Sequence, residues 1–189
     1  MTKYARRTAL VVGEVTGIGL AIAKRLVEGG ATVLLTVRTA HERAHAIAEL
    51  GSTARVVTAD TLEAALAAQS GTGPGGGEGR VDLLFSDAVA TVQPLLRHLK
   101  DGSAIVLTAP TPCPDAVRAL AAELASRGIR VNAVAPGCIE APGARTEPLP
   151  PLGRLGAAEE VARAALFLAT EATFTTGVRF PVDGGLGPP

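Results

Sequence analysis

Residues 10–23 read Leu-Val-Val-Gly-Glu-Val-Thr-Gly-Ile-Gly-Leu-Ala-Ile-Ala, with glycines at 13, 17 and 19. Glycine accepts the backbone angles of a tight turn and lets main-chain N–H groups approach a ligand closely. This turn sits between an apolar run (Val11, Val12) and a helical stripe formed by Ile18, Ile22 and Leu26 with Ala21 and Ala23. It therefore aims its amides and a helix N-terminus at an anion. The chemistry that suits is the holding of a nucleotide phosphate. The spacing is Gly-x-x-x-Gly-x-Gly, not the commoner Gly-x-Gly-x-x-Gly. Glu14 adds a carboxylate to the same turn, where it would repel a diphosphate.

Few other residues could do chemistry. Asp87 can serve as a general acid or base if buried, and is otherwise a solvated loop acid or a helix cap. Thr108 and Thr111 offer hydroxyls. Cys113 has no base marked out for it in the sequence, so it reads as a buried or inert thiol before a nucleophile, and Cys138 reads the same way. His41 and His45 stand four apart, a spacing that can bind metal, but without a third ligand they describe a solvated helix face. Glu159 and Glu160 suit the first turn of a helix, where the dipole favours acids.

These residues need a frame, and the apolar periodicity supplies one. Strands are expected around Val11–Val12 and at 31–37, 54–58, 81–85, 103–108, 130–135 and 176–182. Helices are expected from Ile18 to about Glu28 and at 40–50, 62–69, 91–99, 115–126 and 158–170. Ala44, Ile47, Ala48 and Leu50 are read as the inner face of the second helix, and Asp115 as an N-cap. The alternation argues for a doubly wound α/β domain of the Rossmann type, spanning 1–189, with a parallel sheet of about seven strands. Such sheets bind ligands beyond the carboxyl ends of their strands. That rule gathers Gly13–Gly19, Arg38, Asp60, Ser86, Asp87, Thr108 and 136–139 along one edge. The glycine-rich stretch 70–79 is read as a flexible surface loop, because the βα alternation resumes directly after it.

Composition narrows the function classes. Eighteen basic residues balance eighteen acidic ones, which gives no argument for nucleic acid or membrane binding. Apolar residues make up 47% and aromatics 3%, so the core must be aliphatic and alanine-rich. Two cysteines form neither a metal pattern nor a disulfide framework. The opening residues lead straight into a short strand, too short for a signal segment, and a soluble cytoplasmic protein is expected.

The last third is more specific. Ala119-Leu120-Ala121-Ala122-Glu123-Leu124 and the run from Gly128 to Gly137 (Gly-Ile-Arg-Val-Asn-Ala-Val-Ala-Pro-Gly) closely resemble the short-chain dehydrogenase/reductase family. So do Gly153-Arg154-Leu155-Gly156, Glu159-Glu160-Val161-Ala162, Phe167-Leu168-Ala169, Thr176-Gly177 and Pro181-Val182-Asp183-Gly184-Gly185. The loop Gly13-x-x-x-Gly17-Ile18-Gly19 fits the same family. The resemblance implies a nicotinamide dinucleotide and an oxidoreductase acting on a small-molecule carbonyl or alcohol. It assigns Gly13, Gly17, Ile18 and Gly19 to the diphosphate loop and Asp60 with Thr61 to the adenine. Ala135, Pro136, Gly137 and Ile139 go to the nicotinamide end. Arg38 falls where the adenosine ribose is read, and a guanidinium there can clamp a 2′-phosphate, which favours NADP(H) over NAD(H).

The family's chemistry also needs a tyrosine, a lysine four residues later and a serine after the fifth strand. The only tyrosine here is Tyr4, no lysine follows Lys100, and Ala109 aligns with the serine. The region 86–115 is shortened: Ser86-Asp87-Ala88-Val89 stands for the family's Asn-Asn-Ala-Gly, and Pro110-Thr111-Pro112-Cys113-Pro114 replaces the catalytic segment. Val12 and Ala141 each replace a usual threonine. Thr108, Asp87 and Cys113 are the remaining catalytic candidates. Three functions follow: an NADP(H)-dependent reductase of non-standard mechanism, a non-redox catalyst such as a cyclase, isomerase or dehydratase, or a non-catalytic binding protein. The shortened middle helix predicts loss of the family's tetramer, leaving a homodimer through the last strand.

Overall fold

The computed structural model describes residues 3–13, 17–68, 81–109, 112–140 and 148–187. Glu14, Thr111, Ala141 and the glycine-rich stretch 70–79 lie outside the described residues. Seven parallel strands form one sheet: β1 (Thr8–Val12), β2 (Thr32–Val37), β3 (Ala54–Thr58), β4 (Val81–Ser86), β5 (Leu99–Leu107), β6 (Arg130–Pro136) and β7 (Arg179–Val182). Their order is β3-β2-β1-β4-β5-β6-β7, so the chain reverses its winding between β1 and β4. The helices are α1 (Ile18–Glu28), α2 (Ala40–Leu50), α3 (Ala59–Ala68), α4 (Val89–Val92), α5 (Pro114–Leu124) and α6 (Ala158–Thr170). This is the doubly wound architecture that the alternation implies.

Alternate residues of each central strand enter opposite layers, because side chains switch faces at every step along a strand. Ala9, Val11, Val33, Leu35, Leu83, Phe85 and Val106 pack beneath α1, α2 and α6. Leu10, Leu34, Leu84, Ile105, Leu107 and Val131 pack beneath α3, α4 and α5. Strands buried on both faces must be apolar at nearly every position, which is why they read as unbroken aliphatic runs.

The structure corrects several local expectations. Ala46 and Leu50 form the buried face of α2, while Ala44, Ile47 and Ala48 face outward. Ala46 and Leu50 are four apart on the side nearest α1, and so few inward positions are set by packing more than by periodicity. The helix expected at 91–99 is a single α-turn followed by a 3₁₀ segment, Gln93–His98, and Leu99 already opens β5. Pro94 lacks the N–H that a continuing α-helix would use there. Asp115 is not the cap of α5: Cys113 holds that place, and Asp115 lies in the first turn with an ion pair to Arg118 at 3.5 Å. The last strand begins at Arg179 and not at Thr176. Before it, Asn132 reaches across from β6, donating to the carbonyl of Thr175 (2.9 Å) and accepting from the N–H of Val178 (3.1 Å).

Candidate active site

Strand register builds the site. Val12 of β1 pairs with Ser86 of β4, so the next residues of both strands, Gly13 and Asp87, emerge side by side at the carboxyl edge. Gly13 has φ +134°, and a Cβ added to it would lie 2.7 Å from Oδ2 of Asp87. Only glycine fits this place, on conformational and steric grounds together. Its N–H points to Oγ1 of Thr36 at 3.4 Å, which ties the start of the turn to β2. Gly17 also has a positive φ of 62°, with open space where a Cβ would be, and Ile18 and Gly19 begin α1. The first N–H groups of α1 thus face the same edge without intrahelical partners.

Arg38 follows β2 and is exposed, but it is not alone. Its backbone N–H donates to Oε2 of Glu42 at 2.7 Å, and its guanidinium lies 3.6 Å from the same carboxylate. The Glu42 side chain is only 13% exposed, so an acid stands at the end of β2 that a search among adjacent residues misses. Its signal in the sequence is the spacing of four from Arg38, together with Thr39, whose hydroxyl accepts the Glu42 N–H as the cap of α2. Asp60 and Thr61 lie exposed in the first turn of α3, and the Thr61 hydroxyl is engaged with the backbone and side chain of Thr58.

Ser86 is fully buried, and its hydroxyl pairs with those of its own turn: the Ala88 carbonyl at 3.0 Å and the hydroxyl of Thr91. Asp87 beside it is half-buried. Thr108 continues β5, donating its N–H to the Ser86 carbonyl at 2.8 Å, with its hydroxyl 3.4 Å from the same oxygen. Gly13, Asp87, Ser86 and Thr108 are therefore joined by neighbouring strand ends. Cys113 is exposed at the start of α5 and has no link to this group among the described residues.

Pro136 closes β6. Gly137 donates to the Val182 carbonyl at 3.0 Å, and a Cβ on it would meet the Asp183 backbone at 2.6 Å. The glycine is required by the close approach of the chain after β7, whatever else binds there. Ile139 bridges to Gly156, and Cys138 and Ile139 open onto a largely apolar cavity of about 460 Å³. Pro150, Leu152 and Asp183 also line it, with the ion pair Arg154–Glu160 at its rim. Arg154 and the N–H of Ala157 bond to the Glu160 carboxylate, which they hold down at about 2 from an ordinary 4.5. Tyr4 lies far from all of this. It is buried before β1, its N–H bonded to the Gly29 carbonyl at the end of α1.

Comparison with known proteins agrees with this fold. Residues 7–102 match the family model described as short chain dehydrogenase, and residues 113–187 match that of enoyl-(acyl carrier protein) reductase. A 3-oxoacyl-acyl-carrier-protein reductase FabG from Thermotoga maritima is 53% identical over 78 residues, which cover 35% of this chain and 31% of that protein. The chain thus spans about a third of that relative's length in the matched stretch. Against the FabG reductase of Vibrio harveyi the match is 31% over 242 positions, covering 95% of this chain and 97% of the relative. That alignment is longer than the chain itself, so the relative carries residues without a counterpart here. The crystal structure of a candidate betaketoacyl-ACP reductase superposes with a TM-score of 0.75 at 30% identity, covering 96% of this chain and 98% of that one. The chain belongs to the short-chain dehydrogenase family.

Proposed function

We propose that this protein binds NADP(H) at the carboxyl edge of its sheet and reduces a small-molecule carbonyl without the family's tyrosine and lysine. The observation that carries the reading is the pairing of two features on adjoining strands. One is the pair of positive-φ glycines, Gly13 and Gly17, before the N-terminus of α1, and the other is a guanidinium at the end of β2. Gly13, Gly17, Ile18 and Gly19 would hold the diphosphate by main-chain N–H groups, and Arg38 the 2′-phosphate. Asp60 and Thr61 would lie by the adenine, and Pro136, Gly137 and Ile139 by the nicotinamide. A reduced nicotinamide bound there supplies a hydride. The chain's own task is to supply a proton to the substrate oxygen, for which Asp87, Thr108 or water relayed by them are the available groups. The apolar cavity beside Ile139 offers the substrate a place next to that end of the site.

A second reading is favoured by one observation. Tyr4, the only tyrosine, is buried away from this edge, and no lysine follows Lys100. A non-redox catalyst or a binding protein on the same fold would account for both facts. Calorimetric titration with NADPH and NADH separates the readings. The reductase reading expects saturable NADPH binding, and Arg38→Ala should weaken NADPH about tenfold or more while leaving NADH nearly unchanged. No saturable binding at millimolar NADPH would remove it in favour of the second. As partner we propose a second copy of the chain across β7, since that edge strand and the exposed Phe167 and Phe180 form an apolar margin. Light scattering that gives a stable tetramer contradicts this.

A further inference from the structure

At the opposite edge of the sheet, the amino ends of β1, β4, β5 and β6 and the end of α6 enclose a polar cavity of about 460 Å³. Arg7, Asp82, Lys100, Asp101, Ser103 and Arg130 line it. Both acids are already engaged. Asp82 holds Lys100 at 2.9 Å and accepts the Thr8 N–H at 2.7 Å, and Asp101 pairs with Arg127 at 2.9 Å. Among the described residues Arg130 bonds no carboxylate but three carbonyls at and just beyond the end of α6, those of Leu168, Ala169 and Ala172. Arg7 approaches closely enough that its like charge, after burial, pushes Arg130 further below the ordinary guanidinium range. The Ser103 hydroxyl is buried, with the residue 4% exposed, and has no hydrogen-bond partner among the described residues.

Among the described residues neither guanidinium pairs with a carboxylate, Arg130 resting on carbonyls at the end of α6, and the Ser103 hydroxyl has no partner. We propose that this cavity binds a phosphate-sized oxyanion between Arg7 and Arg130, with Ser103 donating its hydroxyl to it. An oxyanion would give both guanidiniums a counter-charge and accept from the Ser103 hydroxyl once that side chain turns toward it. The anion is free phosphate or the phosphate of a monoester, the chemistry being the same. Because the site lies at the far end of the strands from Gly13, it is independent of the cofactor reading.

The test is the melting temperature of the full chain titrated with inorganic phosphate, with phenyl phosphate, and with potassium chloride at matched ionic strength. A saturable rise of a few degrees with phosphate and not with chloride is expected. Phenyl phosphate acting at least as well would identify the monoester, and inorganic phosphate acting alone the free ion. Arg7→Gln should abolish the rise, Ser103→Ala should raise the half-saturating concentration severalfold, and Arg38→Ala should leave the response intact. An equal rise with chloride, or an undiminished one in Arg7→Gln, overturns the proposal. So does a response lost in Arg38→Ala, which would move the binding to the other edge. Amide resonances of Gly102, Ser103 and Gly128 in the wild-type chain give a readout that needs no variant, and their failure to shift with phosphate is equally fatal.

Discussion

At the amino edge of the sheet, long side chains are tied down. Arg127 bonds the carbonyls of Leu96 and Leu99 as well as Asp101, Arg130 fastens the end of α6, and Lys100 and Thr8 converge on Asp82. At the carboxyl edge the described links are mostly between main-chain groups, such as the Thr108 N–H to the Ser86 carbonyl at 2.8 Å and the Gly137 N–H to the Val182 carbonyl at 3.0 Å. The side-chain contacts of Thr36 with Gly13 and of the Thr108 hydroxyl with Ser86 are longer, both at 3.4 Å. Asp87 there is half-buried against Gly13, and the exposed Arg38 guanidinium lies beside Glu42. The contrast teaches that, among the described residues, charged side chains brace one end of these strands, while glycines and main-chain links mark the other. That other end is the one proposed for a ligand, and binding regions are drawn from the less constrained part of a fold.

The largest expected effect tests whether the carboxyl edge has a rigid point of its own. Gly137→Ala places a Cβ 2.6 Å from the Asp183 backbone, which cannot swing aside as a flexible side chain can. We expect a loss of about 3 kcal/mol of stability in urea unfolding. A loss within experimental error would mean that the segment after β7 is as free as its surroundings.

A smaller effect concerns charge. Asp87 lies against Gly13, the first residue of the proposed diphosphate cradle. On the NADP(H) reading, Asp87→Asn removes a repulsion and should tighten NADPH about tenfold, equivalent to about 1.4 kcal/mol, in calorimetry. Unchanged affinity would show that the carboxylate turns away when the ligand arrives.

The smallest effect concerns pH. The Glu160 carboxyl is held at about 2, below its ordinary 4.5. Its contribution is therefore complete above pH 4.5 and lost as pH falls toward 2. The group is exposed, so the contribution is modest. The melting temperature of Glu160→Gln should lie slightly below that of the wild type at pH 6, and the gap should close between pH 4.5 and 2. A gap constant across that range would exclude the pairing with Arg154 as its source.

Much of the frame was legible in the sequence. The helices 40–50 and 158–170 and the strand 54–58 have the bounds that their periodicity gives. Thr39 and Gly51 punctuate the first of these at its two ends. The middle was not legible in the same way, because Pro94 and a short apolar run fit a helix and a 3₁₀ turn about equally well. For the candidate site, residue types pointed to the carboxyl edge but not to the neighbours that the strand register brings there. Asp87 against Gly13 depends on which strand pairs with β1, and Glu42 beside Arg38 on the capping of α2. The most recognisable residues also have work in the frame. Arg130 and Asn132 hold α6 and the approach to β7, so a family signature can persist for reasons of packing alone.

The strand order carries a consequence for how the chain reaches this state. β1 meets β2 some two dozen residues along, but it cannot meet its other neighbour, β4, until more than seventy residues have been made. The two halves of the sheet are thus joined by one late, long-range pairing, and folding waits on the closing of that loop. Closure entropy grows only with the logarithm of loop length. The glycine-rich segment before β4 can therefore gain or lose residues with little effect on how quickly the halves meet. On a ribosome, β1 emerges well before β4 and has one edge unpaired until β4 covers it.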